Sequence, residues 1–175
     1  VNAVFFSGNA INTSLFNYEH LQTETQVLNF ANVLDNFPRP SSGSTDVAAG
    51  MQASLDSLFD NNFEGTNLVM DVSGDGTDGT GSASESVRDD AKANGVTINA
   101  LAIESSFVET AFTDSVITND GFVEFAAAFA DFETAVGNKI DLEVEEGTEV
   151  PEPATLALIG AGLAGIGLAR RRRAA

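Results

Sequence analysis

"TNLVMDVSGDGTDGTGS", residues 66–82, decides the fold. Its first half is a continuous apolar run of strand length, the pattern of a central strand covered on both faces of a sheet. Its second half is a loop of glycines, hydroxyls and carboxylates. Working outward, a helix near Ala83 to Asn94 stops at Gly95, and another buried strand, "VTINALAI", follows. Upstream, a helix from about Asp46 to Asp60 has Val47, Met51, Leu55, Leu58 and Phe59 on its inner face and Thr45 in the N-cap position. Strand, helix, strand with short connections predicts an α/β fold, a mostly parallel sheet with right-handed crossovers flanked by helices.

The flanking segments extend this pattern. Residues 1–7 and about 11–18 carry strand character, and "SGN" between them predicts an antiparallel hairpin. Val27, Phe30, Ala31 and Leu34 then recur at helical spacing as an amphipathic stripe, which "NFPRPSSGS" stops. Beyond the second buried strand, "FVETAFTDSVITNDGFVEFAAAF" predicts a short irregular helix and a last strand around Phe122 to Ala127. A final helix from about Asp131 to Val144 puts Phe132, Val136 and Ile140 on one face. The expected organisation is a domain over 1–146, an acidic proline-containing linker over 147–153, an apolar helix over 154–169 and an arginine-rich tail over 170–175.

Composition narrows the function. A chain of 175 residues with 43% apolar residues can bury a real core, and its aromatics are almost all Phe, 13 against one Tyr and no Trp. The net charge is −18, and four of the eight basic residues form the block Arg170, Arg171, Arg172 and Arg173, so the body is more acidic than the total implies. Such a body repels phosphate, which excludes nucleic acid as a partner. The absence of cysteine excludes disulfides, thiolate metal sites and thiol catalysis. The single histidine, His20 in "NYEHLQ", reads as a solvated polar residue. No nucleophile, base and orienting group stand together as a set, so an enzyme is not expected. Val1 opens on what reads as the middle of a buried strand, so the natural protein is expected to have more chain upstream, signal peptide included.

In open parallel sheets, ligands sit outside the carboxyl ends of the strands. Two loops belong at that end: "SSGSTD", Ser41 to Asp46, and "SGDGTDGTG", Ser73 to Gly81. Their hydroxyls and carboxylates are the ligand set of a hard cation, Mg²⁺ or Ca²⁺. The plainer alternatives are a helix cap for Thr45 and a glycine-rich turn for Asp75 and Asp78.

"GSTDVAAGMQASLDSLF", "NLVMDVSGDGTDG" and "AKANGVTINALAI" together resemble the von Willebrand factor A domain, most closely its bacterial branch catalogued as domain of unknown function 1194. "VITNDGFVEFAAAFADFETAVGNKI" is similar to the closing segment of that branch, so the resemblance covers nearly all of residues 1–145. It implies a divalent metal held by three loops, with Thr45 matching the metal-binding threonine and Asp75 the aspartate. The DxSxS loop and the first strand of the family pattern would lie upstream of Val1. Asp71, Ser73 and Asp75 spell D-x-S-x-D, but they follow the sequence-central strand and so belong to the aspartate loop.

The carboxyl-terminal "LALIGAGLAGIG", residues 156–167, spells GxGxxG at Gly160, Gly162 and Gly165. A dinucleotide fold needs a helix, a second strand and an acidic residue about 20 positions later, and too little chain follows to supply them. Leu156 to Ala169 is free of charge over fourteen residues. As a helix it would be about 21 Å long, which spans a thin bilayer or a tilted path with help from Ala154, Thr155 and snorkelling arginines. The positive-inside rule keeps the arginines cytoplasmic and the acidic domain outside.

"VPEPAT", the apolar stretch and the arginine cluster resemble the PEP-CTERM sorting signal of Gram-negative bacteria. That resemblance implies export, transient inner-membrane anchoring, and processing by an exosortase-type enzyme near Pro151, Glu152 and Pro153. The expected protein is an exported, surface-sorted binding or adhesion module, assisted by a divalent metal and taking a protein or polysaccharide ligand. The alternative is a structural envelope or exopolysaccharide-associated protein without a working metal site.

Overall fold

The computed structural model describes residues 1–147 apart from Asn12. Residues 1–139 pack as one unit, and a second runs over 140–175. The expected membrane helix over 154–169 lies outside the described residues, and no described helix is long and apolar enough to cross a membrane.

Strands β3 (Leu68–Gly74), β4 (Val96–Ile103) and β5 (Val123–Ala126) form a parallel sheet in the order β3-β4-β5. Met70 lies opposite Ile98, Val72 opposite Ala100, and Leu101 opposite Glu124. The crossovers are helices α3 (Ser82–Ala93) and α4 (Ser106–Ser115). Helix α2 (Val47–Phe59) precedes β3, and α5 (Phe132–Gly147) follows β5. An antiparallel hairpin, β1 (Phe5–Phe6) with β2 (Ala10–Ile11), and helix α1 (Glu24–Asp35) precede them. The mixed α/β class and the hairpin turn at "SGN" are those the sequence predicts.

Alternation along β4 builds two cores, because successive side chains leave a strand on opposite faces. Ile98, Ala100 and Ala102 join Met70 and Val72 of β3 against Met51 and Leu55 of α2, Val87 and Ala91 of α3, and Phe112 of α4. Leu101 and Ile103 face the other way and meet Ala126 and Ala135, with Val136 packed alongside. Gly121 lets the chain pass close to β4: a Cβ there would collide with the Ile98 carbonyl.

Several expectations need correcting, one being Phe59, which is exposed rather than on the inner face of α2. β4, not β3, is the strand buried on both faces; among the described residues β3 pairs with β4 alone, and its Val69, Asp71 and Ser73 are exposed. The continuous apolar run fits burial on both faces, but the described α5 core covers only Leu101, Ile103 and Ala126 on that side of the sheet. Along α5 the buried positions are Ala135 and Lys139, while Ile140 is 50% exposed, because Lys139 turns inward to pair with Asp71. On α1 only Phe30 is buried, and Val27 and Leu34 remain exposed. The segment between β4 and β5 forms a regular ten-residue helix rather than an irregular one.

Candidate functional site

The carboxyl end of the sheet is where the two polar loops converge. The loop 75–81 leaves β3, and Gly76 passes so close to Thr45 that a Cβ on Gly76 would stand 2.6 Å from the Thr45 hydroxyl. This contact brings Thr45 beside the backbone that carries Asp75. Thr45 is partly buried and Asp75 is exposed, so the pair forms a shallow, solvent-facing corner.

Thr45 is not the cap of α2. Asp46 occupies that position, its Oδ1 accepting the Ala49 N–H at 2.9 Å, while its own N–H donates to the Ser7 carbonyl at 2.5 Å. A carboxylate at the cap satisfies an otherwise orphan N–H of the first turn, and it leaves the threonine hydroxyl uncommitted. The hairpin turn also reaches this corner, with the Ser7 hydroxyl donating to Ser41 Oγ at 3.4 Å.

Asp78 has a structural task. Its Oδ2 accepts from both the backbone N–H (3.2 Å) and the hydroxyl (2.7 Å) of buried Ser84, anchoring the start of α3. Asp71 is drawn away from the loop by its ion pair with Lys139, whose ammonium also lies 5.7 Å from the centre of the Phe122 ring. The D-x-S-x-D spelling therefore does not gather three ligands. His20 lies tilted against Phe63, with ring centres 5.5 Å apart. Among the described residues, no group of three or more His, Cys, Asp or Glu side chains is arranged to hold a metal ion.

Two features of this end were not legible in the sequence. Glu104, just past β4, adopts φ +64°, a left-handed conformation uncommon outside glycine. Beside it, α4 and the loop 77–81 enclose a crevice of ≈ 190 Å³ lined by Thr77, Phe107 and Thr110 among others, with Phe107 66% exposed. An exposed Phe at a helix start carries no periodic signal that separates it from a core residue.

Comparison with known proteins settles the family. Residues 1–148 match the family described as "Protein of unknown function (DUF1194)". The chain belongs to the DUF1194 family. Residues 149–173 of this DUF1194 protein match the PEP-CTERM protein-sorting motif, which marks an exported, membrane-associated envelope protein sorted by an exosortase. Pro151, Glu152, Pro153 and Arg170 to Arg173 fall inside that match and outside the described residues. The DUF1194 chain is similar in fold to the solved structure of proximal thread matrix protein 1 from the mussel byssus, with a TM-score of 0.60 and 21% identity. The match covers 80% of this chain and 35% of that one, so the chain spans about a third of its length. No curated protein matches.

Proposed function

We propose that this DUF1194 protein is a von Willebrand A-like binding module that recognises its ligand with the help of a divalent cation. The observation that carries the reading is the approach of the Thr45 hydroxyl to Gly76, beside Asp75, at the carboxyl end of the sheet. One hydroxyl and one carboxylate suit Mg²⁺, which keeps several waters and takes few protein ligands. Thr45 and Asp75 would hold the cation, and the cation would supply a positive point to which a ligand carboxylate can bind. Such points are scarce in this acidic domain, where Arg88 and Lys139 are paired with carboxylates and only Arg39 and Lys92 rest on neutral acceptors. Ca²⁺ is the alternative ion. We read the module as non-enzymatic, its one histidine being engaged with Phe63 rather than with Thr45 or Asp75.

Titration calorimetry of the natural protein with Mg²⁺ tests this. Saturable binding that disappears in Asp75→Ala, with thermal unfolding unchanged, is the expected result. The second reading, a structural envelope protein without a working site, is favoured by the lack of a three-ligand cluster among the described residues. It predicts no saturable heat, or binding that Asp75→Ala leaves intact.

A further inference from the structure

The far end of α2 carries a second site. Thirteen residues of helix separate it from the Thr45 corner by about 20 Å, so it is independent of the metal reading. A cleft of ≈ 450 Å³ opens there, between the segment 16–18 and the end of α2 with the turn that follows. That volume lies in the ordinary range of small-molecule sites.

The cleft is held in shape by hydrogen bonds that its lining does not need for anything else. Asn2 Nδ2 donates to the Phe16 carbonyl (3.1 Å) and to Ser57 Oγ (2.8 Å), tying the two walls together. Asn61 Nδ2 donates to the Ser57 and Leu58 carbonyls, both at 2.8 Å, and its Oδ1 accepts the Phe63 N–H at 2.7 Å. The last bond fixes the turn that presents the Phe63 ring, which is 44% exposed. Tyr18 leans on that ring, with centres 6.5 Å apart and planes tilted by 40°. The only tyrosine of the chain and an exposed phenylalanine thus form one angled apolar wall.

Much of the remaining lining is polar and uncommitted. Among the described residues, the side chains of Asn17, Asn62 and Asp60 make no hydrogen bond, and Asp56 accepts only one, from Gln52. The amides offer donors and the carboxylates acceptors, and Tyr18 adds a hydroxyl. A cationic ligand would use the rings and carboxylates but waste the amide donors. An apolar ligand would use the rings alone. An anionic ligand would meet a domain more acidic than the −18 of the whole chain. A sugar ring presents an apolar C–H face for the aromatic wall and hydroxyls that both donate and accept.

We infer that this cleft, built on Tyr18, Phe63, Asn17, Asn62 and Asp60, binds a neutral saccharide. Burial raises the Tyr18 pKa above its ordinary value, which keeps the hydroxyl a donor across physiological pH.

Native gel electrophoresis of the full chain, in gels containing dextran, hydroxyethylcellulose or laminarin, tests the inference. The expected result is retardation by at least one of these neutral polymers, with the apparent Kd rising at least about tenfold in Phe63→Ala and in Asn62→Ala. Both side chains are exposed, so the circular dichroism spectra of the variants should match the parent. Asp75→Ala should retain the retardation, which separates this site from the metal corner. Migration unchanged in all three gels would overturn the inference, as would retardation that both variants keep.

Discussion

Lys139 shows what a single side chain contributes to this fold. Its ammonium is nearly buried and pairs with Asp71, which is half exposed on β3. Removing one partner of a buried pair costs about 3–5 kcal/mol, and less where the partner is solvated, so Asp71→Ala should cost about 2 kcal/mol in urea unfolding. Lys139→Met, which removes the buried charge as well, should cost less than Asp71→Ala. Tyr18 offers a pH test. Burial raises its pKa above the ordinary value near 10, so its contribution to stability is full below that value and is lost as pH rises through the folded-state pKa. Ultraviolet titration should report this group alone, since it is the only tyrosine, and Tyr18→Phe should flatten the alkaline fall in stability. The meeting of Thr45 with the loop that carries Asp75 was legible because both loops belong at the carboxyl end of a parallel sheet. The pairing of Asp71 with Lys139 was not legible, because nothing in periodicity tells a helix lysine to turn inward.

The secondary elements follow their sequence signals unevenly. β4 runs over the residues that "VTINALAI" predicts, because an apolar run between a glycine stop and a polar turn has little choice. α2 begins at Val47 with Asp46 as its cap, one residue later than the threonine expected there. Asp and Thr both cap well, and only the Ser7 carbonyl, distant in sequence, decides between them. Asp46→Ala should therefore lower stability by about 1 kcal/mol in thermal unfolding. Gly121→Ala should be far worse, about 3 kcal/mol or more, because a methyl there meets the Ile98 carbonyl rather than a movable side chain. Proteolysis of unpurified lysates should show that variant degraded while Asp46→Ala accumulates. Which of two apolar strands lies in the interior depends on neighbours in space, so the sequence could not rank β3 against β4.

At the scale of the molecule, the chain joins an acidic α/β domain to a sorting motif over residues 149–173. Deleting those residues should leave the circular dichroism spectrum of the domain intact and shift the exported protein from the membrane fraction to the soluble one. That destination was the clearest message of the sequence, since proline, apolar stretch and arginine block have a fixed order that needs no fold to be read. The order of the sheet adds a condition on the journey. Its strands β3, β4 and β5 all run parallel, so every pairing joins segments far apart in the chain, and such non-local contacts form slowly. Val123 and Phe125 of the last strand pack against the core that β3 and β4 share, so that core is complete only once the chain has passed residue 126.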